Sequence, residues 1–168
     1  DNAATDDYID MQRLLQSLQE AAKSLSGGRH EIEFACEFDA GLIGSEAEIY
    51  SALSNLVSNA IRYTPERGSV KVRWSRRGVD GTFSVEDNGP GIEAQHLPRL
   101  TERFYRGDRS RSRETGGTGL GLSIVKHVLT RHQARLEIQS APGKGSTFVA
   151  VFPARRVSAK SRPTFDAV

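Results

Sequence analysis

Apolar side chains recur at every third or fourth position between Ser45 and Thr64, and this spacing predicts a helix with one buried face. The apolar positions are Ile49, Leu53, Leu56, Val57, Ala60 and Ile61. Ser45 is a suitable N-cap, and the Thr64-Pro65 pair marks the end because a residue before proline disfavours helical backbone. The segment is therefore expected to pack against a core.

A polar stripe runs beside that apolar face. Asn55, Asn59 and either Arg62 or Tyr63 follow one another at helical spacing, so their side chains share one side of the helix. Two amides one turn apart can present oxygen atoms to a hard cation such as Mg²⁺, which keeps most of its waters. The same pattern is also typical of an ordinary solvated helix face, so the stripe alone leaves both interpretations open.

Periodic patterns define the other elements. Helical spacing predicts helices over Tyr8–Leu25 and Gly119–Arg131, the latter burying Ile124, and alternation predicts strands over His30–Glu37, Leu42–Ile43, Val70–Ser75, Phe83–Val85, Leu136–Ile138 and Phe148–Phe152. We expect residues 1–6 to be a linker end, 7–154 to form one domain and 155–168 to be a flexible tail. Helices mixed with hairpin-connected strands indicate an α/β fold, a two-layer sandwich of a mixed, largely antiparallel sheet against helices.

Composition excludes several classes of function. The 168 residues carry 23 basic and 21 acidic side chains, a net charge of +2, so no global field favours nucleic acid or an anionic membrane. The single cysteine, Cys36, excludes a disulfide framework and a multi-cysteine zinc site, and its strand pattern predicts a buried thiol. No apolar run approaches the length of a membrane span, so we expect no membrane contact by this domain.

The run GGTGLG, residues 116–121, leads into the helix predicted over Gly119–Arg131. A glycine run that leads into a helix N-terminus offers free backbone N–H groups and the positive end of the helix dipole, which suit phosphate oxygens. Neither a Walker loop nor GxGxxG after a strand is present, and a flexible hinge has the same composition. The preceding RGDRSRSRETGGT segment predicts a long mobile loop, and it lacks the interleaved aromatics of a nucleic-acid arm.

Asp87 stands at a predicted strand end, immediately before the turn sequence NGPG. A carboxylate there can accept hydrogen bonds from an amino-bearing ring such as adenine. An aspartate that only closes its own turn through the backbone has the same local sequence. Asp87 is therefore a candidate for base recognition, but its local sequence fits a turn-closing aspartate equally well.

Five motifs in this order carry a more specific signal. The runs NLVSNAIRYTP, EDNGPGI, ERFYRG, GGTGLGLSIVKHV and GKGSTF together resemble the catalytic ATP-binding domain of bacterial sensor histidine kinases, over Tyr8 to Pro153. The run SALSNLVSNAIRYTPERG with Trp74 further resembles the phosphate-regulon sensor kinases. The resemblance implies a Bergerat-type ATP-binding fold, ATP with Mg²⁺, and γ-phosphoryl transfer to a histidine in two-component signalling.

The resemblance also implies roles for individual residues. The implied catalytic residues are Asn55, Arg62 and Arg106, and the implied magnesium ligands are Asn59 and Asn55. The implied nucleotide-binding residues are Asn59, Tyr63, Asp87, Gly89, Gly91, Ile92, Thr118, Gly119, Leu120, Gly121, Leu122 and Thr147. Within that set Asp87 would bind the adenine amino group, Tyr63 would flank the ring and Thr147 would lie near it. Phe104 would anchor the loop from which Arg106 reaches the γ-phosphate.

Two departures shape the expected reaction. ATP-hydrolysing relatives of the chaperone, gyrase and mismatch-repair type carry a glutamate general base where this chain has Asn55. An amide cannot take a proton from water, so transfer to a partner nucleophile is favoured over hydrolysis. The acceptor histidine of the family lies in a His-Glu-x-x-Thr-Pro context, and His30-Glu31 has no Thr-Pro after it. The other histidines, His96, His127 and His132, lack that context too.

We therefore expect the partners to be a histidine-bearing dimerisation domain outside this sequence and a response regulator, with no nucleic acid. The domain alone is expected to be a monomer and the cytoplasmic portion of a kinase anchored in the inner membrane. Two alternatives remain open. One is a serine kinase of the anti-sigma type, and the other is a nucleotide-sensing interaction module without transfer.

Overall fold

The computed structural model describes residues 6–92 and 119–159, with side chains of the second range from residue 122 onward. Its helices are α1 (Met11–Ser26), α2 (Glu46–Tyr63) and α3 (Gly119–Arg131). Its strands are β1 (Asp7–Ile9), β2 (Glu31–Cys36), β3 (Ala40–Gly44), β4 (Ser69–Arg77), β5 (Asp80–Asp87), β6 (Arg135–Ala141), β7 (Gly145–Phe152) and β8 (Val157–Ala159). A short 3₁₀ turn covers Ala154–Arg156.

Five strands form the main sheet, in the order β2-β4-β5-β7-β6. The β2–β4 pair is parallel and the other three pairs are antiparallel. Because side chains alternate along a strand, Val72, Val85 and Phe148, which lie opposite one another, share one face of the sheet. That face belongs to the same buried cluster as the apolar sides of all three helices. The described elements thus confirm the predicted two-layer α/β fold.

Trp74 holds the centre of this core. Its side chain is fully buried, packs against the rings of Phe38 and Phe152, and donates an indole hydrogen bond to the carbonyl of Ala40 at 3.0 Å. A buried indole needs such a partner, because an unpaired N–H would keep its desolvation cost. The contact ties the main sheet to β3, which belongs to a second sheet.

Helix α2 begins and ends where the sequence predicts. The Ser45 hydroxyl accepts the N–H of Glu48 at 3.3 Å, and Thr64 is the C-cap. The six predicted apolar positions are all buried. Glu48, in the first turn of α2, pairs with Arg131 at the end of α3, so the two helices run antiparallel. At about 1.5 Å per residue, the start of α3 lies about 18 Å from that pair, near the end of α2.

The chain ends differ from expectation. Tyr8 and Ile9 lie in β1 rather than in the first helix, which Asp10 caps by accepting the N–H of Gln12 at 3.0 Å. Residues 155–159 are not frayed, because β8 pairs with β3 in a three-stranded sheet of order β1-β3-β8. Arg156 is buried and donates to the Ile43 carbonyl and to Asp6. The domain boundary at residue 154 is therefore wrong by at least five residues.

Three side chains also depart from their predicted environments. Cys36 is exposed rather than buried, because it is the last residue of an edge strand. Ile124 is 41% exposed, on the side of α3 away from the core. His30 precedes β2 and is not a surface strand residue, since its ring bonds the Ser26 hydroxyl and the Thr64 carbonyl.

Candidate functional site

Three segments converge beyond the end of α2. Strand β5 ends at Asp87, and the strand register places Ser146, near the start of β7, directly opposite it. The following loop returns over α2, so that a Cβ on Gly89 would stand 3.0 Å from the Tyr63 carbonyl oxygen. The antiparallel packing of the helices brings the start of α3 to the same region. We refer to this convergence of Asn59, Thr64, Asp87 and Ser146 as the site end.

Asp87 is a buried carboxylate, only 8% exposed. Its Oδ1 accepts the N–H of Gly89 at 2.9 Å, and the backbone of Ser146 also donates to the side chain. Burial raises the pKa of Asp87 despite these two bonds, because the charged form has lost water. Asp87 therefore does close its own turn. A carboxylate has about four acceptor sites, so it can still accept a hydrogen bond from an amino group.

Two glycines let the backbone close around Asp87. Gly91 has φ of +79° and Gly145 has φ of +87°, values that side chains rarely tolerate. A Cβ on Gly91 would overlap the Ala141 carbonyl, and one on Gly145 would overlap the Asp87 carbonyl. The loop is further held by a hydrogen bond of 2.6 Å from Gly143 N to the Pro90 carbonyl. The glycine-rich turns therefore have a definite steric purpose at this site.

The register corrects the role predicted for Thr147. Thr147 lies opposite Glu86, so its side chain stands on the face of the sheet away from Asp87. Ser146 takes that place, only 7% exposed and on the same face as Asp87. The signal was available, because Phe148 and Phe152 mark the core face of β7 and period two from them reaches Ser146.

The polar stripe of α2 runs along the helix toward the site end. Asn55 and Asn59 are half-buried, and Asn55 Nδ2 donates to the Ser51 carbonyl at 3.0 Å, which leaves its amide oxygen directed away. Asn59 makes no side-chain hydrogen bond within the described ranges, 6–92 and 119–159. Arg62 is exposed and Tyr63 half-buried in the last turn. The stripe thus presents amide oxygens and one cation at the site end.

Thr64 adds an unsatisfied group. Its side chain is 3% exposed, and its hydroxyl has no hydrogen-bond partner in the part of the chain that the structure describes. Its Cα would lie 3.4 Å from a Cβ on Gly89, so the residue forms the wall between α2 and the Asp87 loop. A buried hydroxyl left unpaired is costly, and a bound molecule or a water is its usual partner.

The donor set suits magnesium bound together with phosphate. Over residues 6–92 and 119–159 no cluster of three or more His, Cys, Asp or Glu side chains is placed to hold a metal ion. Of the side chains on α2, Asn55 and Asn59 could offer amide oxygens to a cation that keeps water and ligand oxygens as the rest of its shell. Mg²⁺ accepts such a shell, because it keeps several waters and binds few protein groups.

Several predicted residues cannot be placed in the pocket. Phe104, Arg106 and Thr118 lie outside the described residues. For Gly119, Leu120 and Gly121 only the backbone is described, and it forms the first turn of α3 as predicted. Leu122 is buried in the core, and Ile92 donates its N–H to Ser140 Oγ at 2.7 Å.

At the opposite end of helices α2 and α3, the polar side chains are hydrogen-bonded to one another and to the backbone. We refer to Ser45, Glu48, Arg131 and His132 as the anchored end. His132 is fully buried, its Nδ1 bonds the Val128 carbonyl at 2.8 Å, and its Nε2 accepts the N–H of Ser45 at 3.1 Å. Nδ1 therefore carries the proton, the ring is neutral, and burial lowers the pKa of His132. Arg131 makes two bonds to the Glu48 carboxylate, at 2.9 and 3.0 Å.

Comparison with known proteins agrees with this geometry. The family model of histidine kinase-, DNA gyrase B- and HSP90-like ATPases matches residues 44–156. The chain belongs to this family, and membership implies that the domain binds ATP. The resemblance inferred from the motifs is thereby confirmed.

Within this family, the chain is most informatively compared with individual sensor kinases. The chain is 54% identical to the phosphate regulon sensor protein PhoR of Pseudomonas aeruginosa over 89% of its length, and 47% identical to the sensor-like histidine kinase SenX3 of Mycobacterium tuberculosis over 67%. It spans about a third of each of these curated relatives, 34% and 28%. The solved mycobacterial sensor histidine kinase MprB superposes with a TM-score of 0.78 at 27% identity, covering 89% of this chain and 97% of that one.

The length and apolarity of the described helices bear on membrane insertion. None of those within residues 6–92 and 119–159 is long and apolar enough to cross a membrane.

Proposed function

We propose that this chain is the ATP-binding core of a sensor histidine kinase and transfers the γ-phosphoryl group of Mg-ATP to a histidine on a dimerisation domain. The observation that carries the proposal is the buried Asp87 carboxylate, held by two backbone donors beside the amide stripe of α2 and the start of α3. The phosphate regulon relative, 54% identical, favours a two-component pathway that responds to phosphate.

The adenine end is built around Asp87. Its carboxylate accepts the amino group of the ring, and the absence of a Cβ at Gly89 and Gly91 lets the loop pack against the carbonyls of Tyr63 and Ala141 beside that carboxylate. Tyr63, in the last turn of α2, flanks the ring, and Ser146 replaces Thr147 as the β7 residue nearest to it. Thr64 lies against the same loop, and its hydroxyl, unpaired among the described residues, is compatible with a bound molecule or water there.

The phosphate end lies between α2 and α3. The first N–H groups of α3, at Gly119 to Gly121, have no partner within the helix and lie at its positive end, so they suit phosphate oxygens. Arg62 supplies a cation nearby, and Asn55 and Asn59 offer amide oxygens to Mg²⁺. Bound magnesium would neutralise charge on the phosphates. Arg106 and Thr118 remain predictions for the same end.

The side chains of this chain contribute to phosphoryl transfer by positioning the phosphates and the metal. Asn55 cannot accept a proton from water, so its side chain orients phosphate or metal rather than generating hydroxide. Phosphoryl transfer requires little covalent chemistry from the protein and depends on alignment and charge neutralisation. His30 does not serve as acceptor in this scheme, because its ring is engaged by Ser26 and Thr64. The nucleophile is supplied by the dimerisation domain.

The partners follow from this division of labour. The histidine-bearing dimerisation domain of the same kinase receives the phosphoryl group, and a response-regulator aspartate receives it next. The catalytic domain on its own is a monomer, makes no contact with nucleic acid or membrane, and works on the cytoplasmic side of a kinase anchored in the inner membrane.

The test is phosphotransfer to a separately supplied acceptor domain. The chain is mixed with a dimerisation domain from the phosphate regulon relatives and with ATP labelled at the γ-position, and the label is followed on the acceptor. We expect acid-labile, base-stable labelling that Asp87→Ala removes and Asp80→Ala, at the other end of β5, leaves intact. Labelling of a serine would favour the anti-sigma type of kinase. Nucleotide binding without any labelling would favour the interaction module.

A further inference from the structure

Ser140, in β6, is a hydroxyl with three contacts at the edge of the candidate adenine pocket. Its Oγ lies 2.7 Å from the N–H nitrogen of Ile92, 3.1 Å from the carbonyl oxygen of Gly145 and 2.7 Å from the Oγ of Ser146. Ile92 lies in the loop that follows Asp87, and Ser146 lies opposite Asp87. Ser140 therefore connects both sides of the pocket, although no motif in the sequence singles it out.

The hydrogens of this group can be assigned by counting donors. A serine hydroxyl has one hydrogen to donate and two lone pairs that accept. Ile92 N–H can only donate and the Gly145 carbonyl can only accept, so Ser140 accepts from the first and donates to the second. Its remaining lone pair is then filled by the hydroxyl hydrogen of Ser146. This is the one arrangement in which all three contacts are hydrogen bonds.

The consequence concerns what Ser146 presents to a ligand. With its hydrogen directed to Ser140, the Ser146 Oγ has only lone pairs left for the pocket. Asp87, on the same face of the sheet, is also an acceptor and lies 8% exposed. The two side chains of this corner, Asp87 and Ser146, therefore present only acceptors, while Thr64 and its hydroxyl belong to the α2 side of the Asp87 loop and are the same in every variant below. The corner favours a ring that carries an amino group and disfavours one that carries an oxo group.

We propose that Ser140 is a positioning residue that sets base selectivity, by holding the Ser146 hydroxyl as an acceptor and thereby favouring a 6-aminopurine over a 6-oxopurine. The inference rests on the proposed function, because it assumes that the base binds beside Asp87. In Ser140→Ala the Ser146 hydroxyl loses its acceptor and is free to rotate its hydrogen into the pocket. A 6-oxo group then gains a donor that the unaltered protein withholds.

Affinity alone does not separate this role from a structural one. Ser140→Ala also leaves the Ile92 N–H without its partner, which weakens every nucleotide that uses the loop. The ratio between two bases removes that common effect. ADP and IDP are suitable probes because they differ at position 6 and at the neighbouring ring nitrogen, while their ribose and phosphates are identical.

The experiment measures Kd for Mg-ADP and Mg-IDP by calorimetry on the unaltered chain and on Ser140→Ala, Ser140→Thr and Gln139→Ala. We expect the unaltered chain to prefer ADP, Ser140→Ala to lose about tenfold of that preference, and Ser140→Thr, which keeps the hydroxyl, to retain it. Gln139, exposed and on the opposite face, is the matched control. Should Ser140→Ala not fold, Ser140→Cys, whose sulfur is a much weaker acceptor for the Ser146 hydrogen, replaces it with the same expectation.

Three outcomes decide the matter. An equal loss of ADP and IDP affinity in Ser140→Ala would overturn the proposal and leave Ser140 a purely structural residue. Equal affinities of the unaltered chain for ADP and IDP would overturn it as well, while nucleotide binding itself stood. Failure of the unaltered chain to bind either nucleotide would contradict the proposed function, and the inference with it.

Discussion

The two ends of the α2–α3 pair contain similar polar residue types but differ in how far their polar groups are paired. At the anchored end, His132 uses both ring nitrogens, Ser45 and Glu48 are paired, and Arg131 makes two bonds to one carboxylate. At the site end, Thr64 keeps a buried hydroxyl without a partner among the described residues, and Asp87 keeps a buried carboxylate with a raised pKa.

The difference indicates a division of roles within one pair of helices. Paired polar groups at the anchored end stabilise the fold and fix how the helices sit on each other. The unpaired Thr64 hydroxyl and the buried carboxylate of Asp87 lower stability at the site end and keep binding capacity for a ligand. Substitutions at the site end should therefore change nucleotide chemistry with little loss of stability, and substitutions at the anchored end should do the reverse.

The largest effect is expected for Asn59→Ala in the intact kinase. Loss of a metal ligand at the reacting phosphate should slow phosphotransfer about 1,000-fold. The free energy of unfolding should change by no more than about 0.5 kcal/mol, because the residue is half-buried and alanine favours helix. Transfer of labelled phosphate and thermal melts measure the two quantities.

Ser51→Ala, at an exposed position of the same helix, is the control for Asn59→Ala. A normal transfer rate would exclude Asn59 as a metal ligand.

Asp87→Asn should weaken nucleotide binding and at the same time raise the stability of the nucleotide-free protein. Replacing an acceptor by an amide NH₂ should weaken Mg-ADP binding about 100-fold, which corresponds to about 2.7 kcal/mol. The nucleotide-free fold should become more stable at neutral pH. The pKa of Asp87 is raised above its ordinary value of 3.8, so stability falls as pH rises from that value through the folded pKa, and the amide lacks this penalty.

Calorimetry and thermal melts of Asp87→Asn test both halves of that prediction. Asp80→Asn, at the other end of β5, is the matched control and should change neither quantity appreciably. If Asp87→Asn bound Mg-ADP normally, the carboxylate would not recognise the base. If it melted lower than the unaltered chain, burial of the charge would not be the dominant effect at this residue.

At the anchored end, His132→Ala should reduce stability by about 2 kcal/mol, or about 4–8 °C in Tm, through loss of two buried hydrogen bonds and a cavity. Burial lowers the pKa of His132, so the unfolded chain binds a proton first. Stability is thus expected to fall as pH decreases from about 6.5 to the lowered folded pKa. Urea unfolding across that range should show a weaker pH dependence in His132→Ala, and exposed His127 supplies the control.

The smallest effect is expected for Glu48→Gln. The Arg131 hydrogen bond is the main cause that lowers the pKa of Glu48, so its contribution exists above the ordinary value of 4.5 and disappears as pH falls through the folded pKa. Both side chains are partly exposed, and the loss should therefore stay below about 1 kcal/mol and shrink in about 1 M salt. Glu46→Gln is the control in the same turn. A loss of several kcal/mol that salt did not reduce would contradict this estimate.

Local rules predict much of the site. The caps of α2, its buried positions and the N-terminal glycine turn of α3 follow from capping preferences and helical spacing, and the structure confirms them. The carboxylate of Asp87 was likewise identifiable from its position at the end of an alternating strand. These features depend on residues within a few positions of one another, which is the range over which sequence patterns act.

Long-range pairing accounts for what the sequence did not predict. β1, β3 and β8 meet from distant parts of the chain, and Arg156 is buried only because Ile43 and Asp6 accept its hydrogen bonds. A basic residue near the end of a chain carries no local sign of that environment. The Ser146 position was readable from period two, whereas the contacts of Ser140 depend on the β6–β7 register and on the loop after Asp87.

The central claim is that nucleotide binds at the site end and not elsewhere, and backbone amide NMR during a titration with Mg-ADP tests it most directly. We predict shifts at Asn59, Gly89, Ile92 and Ser146, with Ser45 and His132 unchanged. Shifts absent from the site end, or confined to the outer face of the main sheet around Lys71 and Glu86, would contradict the account.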